Sequence, residues 1–256
     1  MRTRAVISLS VAIVALGLGV VSGAVIEQRD NLRVSFDADF APHALPRFEP
    51  APMKVQIAGR IATTDGTHPP PLRWLEVEIH RNGKLSGEGL PVCRPSVLQS
   101  TSTQTAMARC KRSLVGHGSF RADVDLGNDV FANGEILAFR SRRAGKEVLL
   151  MHLFASVPVR FTLVVPLTVS HRDGQFGTVL RARIPRIGGI VSVTEIDLTI
   201  GRRYTHAGQD RSYVSAACGA PSGSRIAVFP FARGKFRFEG HGPIHPPALV
   251  QSCSVR

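Results

Sequence analysis

Tryptophan and tyrosine are scarce in this chain of 256 residues, which has one tryptophan, Trp74, and two tyrosines, Tyr204 and Tyr213, while its thirteen phenylalanines fall mostly at inward positions of the strand pattern. Sugar sites and single-stranded nucleic acid sites are built on stacking platforms, so neither kind of recognition is favoured and no specific nucleic acid partner is expected. Closely spaced cysteines are missing as well. Cys93, Cys110, Cys218 and Cys253 form no CxxC, which removes the usual spacing of a structural zinc site. There is no GxSxG elbow, phosphate-binding glycine loop or dinucleotide fingerprint. GHGSF at 116–120 imitates an elbow but lies in a strand pattern, without the strand-to-helix turn that exposes a nucleophile. His241 and His245 in HGPIH are the closest histidine pair, yet glycine and proline separate them and no third ligand is indicated. The sequence therefore predicts no cofactor and no metal.

Positive charge is plentiful, at a formal net +13. Lysine supplies little of it, at positions 54, 84, 111, 146 and 235 only, so arginine carries the rest. Most of these charges are scattered. The denser groups are Arg140, Arg142 and Arg143, and the pair Arg202 and Arg203, which makes these five the candidate surface-binding residues.

MRTR is followed by an uncharged stretch, 5–26, that passes through Ser22, Gly23 and Ala24, small residues of the kind signal peptidase accepts. Residues 1–24 read as a secretory signal, with an uncleaved N-terminal anchor as the alternative and the only route to a membrane. Either way the body of the protein is expected outside the cytoplasm. The four cysteines of an exported chain default to two disulfides, with three pairings open on paper. Closure of local loops favours Cys93 with Cys110 and Cys218 with Cys253.

The longest apolar run of the body, EVLLMHLFASVPVRFTLVVPLTV at 147–169, is interrupted by Pro158, Arg160 and Pro166 and is crowded with β-branched residues. It reads as a central pair of strands, 148–157 and 161–169, with a bulge at Pro166. Period-two alternation recurs on both sides, as in Leu75, Val77 and Ile79 against Glu76, Glu78 and His80. The charged side of that strand, like that of Asp123 and Asp125, is read as a solvated face. The best helix candidate is Thr105–Ala108, behind a Ser/Thr run that offers caps inside the Cys93 to Cys110 loop. The expected fold is all-β, with sandwich-like antiparallel sheets and that one short helix. Residues 25–52 read as an N-terminal strand and Pro-rich connector, and 53–256 as the β-rich domain. A faint echo between LRWLEVEIHRNG at 72–83 and VTEIDLTIGRRY at 193–204, each leading to a cysteine, suggests two related halves, about 53–146 and 147–256.

TTDGTHPPPL (63–72), GLPVC (89–93), CKRSLVGHG (110–118), LTIGRRY (198–204) and RSYVSAAC (211–218) together resemble a family of uncharacterised secreted proteins of high-GC Gram-positive bacteria. The resemblance spans nearly the whole mature chain. It implies export and paired cysteines, and no chemistry.

Three functions fit these readings. The leading one is a non-catalytic extracytoplasmic protein held at anionic cell-envelope polymers by its basic surface. A secreted hydrolase with a site assembled from distant residues is the second, and an adhesive module that binds another protein through a sheet edge is the third.

Overall fold

The computed structural model describes residues 23–126, 129–185 and 191–256. The expected secretory segment lies almost wholly outside them. The chain is all-β. Its elements in order are β1 (Val25–Arg29), β2 (Leu32–Ala41), β3 (Ala44–Leu45), β4 (Ala51–Pro52), β5 (Lys54–Thr63), β6 (Leu72–Ile79) and β7 (Gly83–Leu85). Then come α1 (Pro95–Leu98), α2 (Thr103–Cys110), β8 (Leu114–Asp125), β9 (Asp129–Arg143), β10 (Lys146–Ala155), β11 (Phe161–His171) and β12 (Thr178–Arg183). The last are β13 (Val191–Ile200), β14 (Arg203–His206), β15 (Gln209–Ser212), β16 (Val214–Ala216), β17 (Ile226–Phe238) and β18 (Leu249–Val255).

One sheet of 13 strands, ordered β1-β2-β5-β13-β8-β9-β10-β11-β12-β6-β17-β18-β3, forms the wall of the molecule. Its two margins approach each other. Gln251 Nε2 on β18 donates to the Ala38 carbonyl on β2 at 2.9 Å. Phe36 on β2 stands edge-on to Phe236 on β17, with ring centroids 6.2 Å apart, and Phe40 lies 5.2 Å from Phe231. The sheet is thus curled into a sandwich-like shell closed by side chains where no ladder runs. Leu32, Val34, Phe36, Ala38 and Phe40 are all buried, so β2 is part of this wall and not a strand set apart from the body by the Pro-rich connector. Strands from 53–146 and 147–256 interleave in it, since β5 pairs with β13, and β6 lies between β12 and β17.

β10 and β11 sit mid-sheet and pair antiparallel from Val148↔Thr168 to Ala155↔Phe161. The expected bulge at Pro166 is absent, because Leu150↔Pro166 continues an unshifted register. β12 joins β11 only from Thr168 onward, so on that side Pro166 faces no ladder that needs its missing N–H.

The helical segment lies where the Ser/Thr run placed it. Ser102 Oγ accepts from Thr105 N at 3.2 Å, an N-cap for α2, and the Cys93–Cys110 disulfide closes the loop with 5.6 Å between Cα atoms. Leu98 and Ala106 pack on Leu137, Phe139, Val148 and Leu150, which cover the outside of β9 and β10. Without this lid a row of large apolar side chains would meet water. Among the described residues no helix is long and apolar enough to cross a membrane.

Candidate functional site

A wall of more than about eight strands encloses more volume than its inward side chains fill. Phe36, Phe120, Met151 and Phe161 occupy part of the interior. The remainder is a cavity of about 240 Å³, lined from opposite sides by Val55 and Ile57 of β5, Val77 of β6, Leu163 and Val165 of β11, and Leu180 of β12. The lining is nearly all aliphatic. Empty cavities of this character stay dry, and one of about 150 Å³ is enough to take up benzene. The space here is larger than that, yet below the roughly 300–1,000 Å³ usual for drug-sized ligands, so it fits one slender apolar group.

The two ends of the cavity differ. At one end Met53, Leu85 and Val214 close it, contributed by the small sheet β4-β16-β7 and its flank. Tyr213, with no exposed surface, packs into this plug, and burial pushes its hydroxyl above the ordinary tyrosine range. The Cys218–Cys253 disulfide fastens the plug to β18, with 5.7 Å between Cα atoms. At the other end the lining turns polar, with Ser35, Arg60, Arg73, Thr194 and Glu195. Arg60 lines the cavity while its side chain is 68% exposed, so the lining reaches the surface here, as it also does at the exposed Lys84 of β7. Arg60 pairs with Glu195 at 3.3 Å, and Arg73 pairs with Glu239.

Residues 86–90, 112–114, 202–204 and 213 meet at the plug. Arg202 Nη1 donates to the carbonyls of Arg112 at 2.7 Å and Leu114 at 2.8 Å. The Ser86 amide donates to the Tyr213 carbonyl, and Tyr204 Oη donates to the Glu88 carbonyl at 2.7 Å. Arg140 is 6% exposed, donates Nε to Glu147 Oε1 at 3.0 Å, and also reaches the Leu90 carbonyl. Arg140 and Arg202 are therefore engaged in holding loops. Arg142, Arg143 and Arg203 lie on the surface.

Gly116 and Gly118 in GHGSF have a packing explanation. A Cβ at Gly118 would lie 1.9 Å from the Asp197 carbonyl oxygen, so the motif lets β8 approach β13 closely.

On the outside of β6 the solvated reading of Glu76 and Glu78 is overturned. They are 3% and 0% exposed, because neighbouring strands lay cations across them. Glu76 is bonded by Arg181 and by Lys235 at 2.7 Å, and Glu78 by Arg233, by Arg172 at 2.7 Å and by Lys235 at 3.0 Å. Burial alone would raise the Glu78 carboxyl, but the hydrogen bonds from Arg233 and Lys235 outweigh it and hold the group down to about 2. Glu78 is thereby held as an anion by cations, the wrong state for the proton donor of glycoside chemistry.

His68 Nδ1 stands 3.0 Å from Asp123 Oδ2, but no serine or threonine is hydrogen-bonded to that ring among the described residues. Nor do three metal-ligating side chains converge among them. Comparison with protein-family models, with curated proteins and with solved structures finds no match for this chain.

Proposed function

We propose that this is a non-catalytic, extracytoplasmic binding protein that shelters one slender apolar group, such as a single alkyl chain, inside its curled sheet. The observation that carries the reading is the aliphatic cavity of about 240 Å³, plugged at one end and rimmed by Arg60, Arg73 and Glu195 at the other. A single-chain amphiphile matches it, with its tail among Val77, Val165 and Leu180 and its polar head at the rim. Apolar inside and charged outside is the reverse of a membrane-spanning barrel, whose lipid-facing surface is apolar.

Residence at an anionic cell envelope belongs to the same reading and is supported by a net charge of +13, or 13 − 2 = +11 once Arg2 and Arg4 leave with the secretory segment. The two disulfides suit an oxidising compartment, and membership of the secreted family suggested by the five motifs would agree with both.

The test is titration with a fluorescent single-chain probe such as parinaric acid, using the purified protein and the cavity-filling variants Val165→Phe and Leu180→Phe. The proposal expects saturable uptake by the parent chain and its loss in both variants, with their β-type circular dichroism unchanged.

A further inference from the structure

The outward face of β17 changes character along its length. Ile226 and Val228 are 60% and 59% exposed, and Pro230 follows at the same period, with Val250 of β18, 47% exposed, directly opposite it. A bulge between Pro230 and Ala232 resets the register, and the outward positions then become Arg233, Lys235 and Arg237. β6 and β12 widen the charged half. Across the sheet Arg181 opposes Glu76, which opposes Lys235, and Arg183 opposes Trp74, which opposes Arg237.

Counted over the outward faces of β6, β12 and β17, five cations (Arg181, Arg183, Arg233, Lys235, Arg237) stand against two carboxylates (Glu76, Glu78), which leaves 5 − 2 = 3 positive charges. The carboxylates lie beneath the cations, so the outermost layer of this face is almost purely positive. Glu76 and Glu78 hold Arg181, Arg233 and Lys235 in a fixed array and cancel two of the five charges from beneath.

We infer that this face docks on the surface of an anionic phospholipid bilayer, with Ile226, Val228 and Val250 entering the interface and the Arg/Lys array meeting lipid phosphates. A soluble polyanion would be satisfied by the cations alone. The exposed aliphatic row next to them favours a lipid surface, because interfacial binding grows with buried apolar area together with attraction to anionic headgroups. The inference rests on the envelope part of the functional proposal and is independent of what the cavity holds.

The experiment is co-sedimentation of the mature chain with vesicles of phosphatidylcholine alone and of phosphatidylcholine with a minority of phosphatidylglycerol, beside isolated cell-wall polymer. Two double variants avoid the residues that hold Glu76 and Glu78. They are Ile226→Ser with Val228→Ser, and Arg183→Gln with Arg237→Gln. The expected result is retention by the anionic vesicles only, weakened roughly tenfold or more in each double variant, the second because each basic side chain near such a surface adds measurably to binding. The cavity-filling Val165→Phe should sediment like the parent, which separates this face from the ligand site. Salt-sensitive retention by cell-wall polymer with none on vesicles would overturn the docking face while sparing envelope residence. Vesicle binding that is unchanged in the Ile226/Val228 variant would also overturn it, as would a dimer in solution that this variant abolishes.

Discussion

Arg172, in the turn after β11, places its guanidinium 2.7 Å from Glu78 Oε1, and that carboxylate has no exposed surface. Glu78 stands directly behind Val77, so this ion cluster backs a strand whose other face lines the cavity. Removing one partner of a buried ionic group costs about 3–5 kcal/mol. The side chains of Arg172 and Arg233 are 39% and 40% exposed and can rehydrate, which reduces the expectation. Glu78→Gln should destabilise the protein by roughly 1–3 kcal/mol in urea unfolding at neutral pH. The folded-state carboxyl sits at about 2 against an ordinary 4.5, so the contribution is complete above 4.5 and fades as pH falls towards 2. The gap between parent and variant should therefore narrow in acid.

The second prediction concerns the plug. In the chain-entropy model a disulfide closing 35 residues contributes about 4 kcal/mol. Replacing Cys218 and Cys253 together by serine should lower stability by about 2–4 kcal/mol and speed release of an apolar probe, since Met53 and Val214 would lose their anchor. Loss of stability without faster release would mean that the plug does not guard the cavity. Non-reducing peptide mapping of the parent should show the Cys93–Cys110 and Cys218–Cys253 links.

A third prediction follows from His152, which has no exposed surface and lies beneath the disulfide-closed lid. Its Nε2 is 3.1 Å from Thr101 Oγ1 and 3.0 Å from the Thr101 carbonyl, while Nδ1 has no hydrogen-bond partner on another described residue. Burial lowers its proton affinity below the ordinary 6.5, against the opposing pull of the Thr101 carbonyl. The unfolded chain then binds the proton more readily, so the stabilisation is complete above 6.5 and is lost as pH falls through and below that value. Melting temperature should drop between about pH 7 and pH 5, and His152→Gln should flatten that slope. Some slope should remain, because burial, helped by Arg81, also lowers His80.

The parts legible in the sequence were those set by near neighbours. β10 and β11 followed from a run of apolar residues broken by turn-formers, and α2 from a capping serine. Both disulfides close short segments, where spacing alone is informative. The cavity depends on which strands become neighbours, such as β5 beside β13 and β17 beside β6, and period-two alternation is silent on that order. Alternation correctly sent Glu76 and Glu78 outward, but it could not show that Arg181, Arg233 and Lys235 from other strands would bury them. Arg140 was misleading for the same reason. Its place among three arginines suggested a surface, whereas Glu147 across the β9–β10 turn and the Leu90 carbonyl draw it inward.

The central claim is that the curled sheet holds an apolar chain, and the most direct measurement is the stoichiometry and affinity of parinaric acid for the parent protein and for Val165→Phe. The account predicts one saturable equivalent for the parent and none for the filled variant, with both chains equally folded. Absence of uptake by the parent, or uptake unchanged by Val165→Phe, would contradict it.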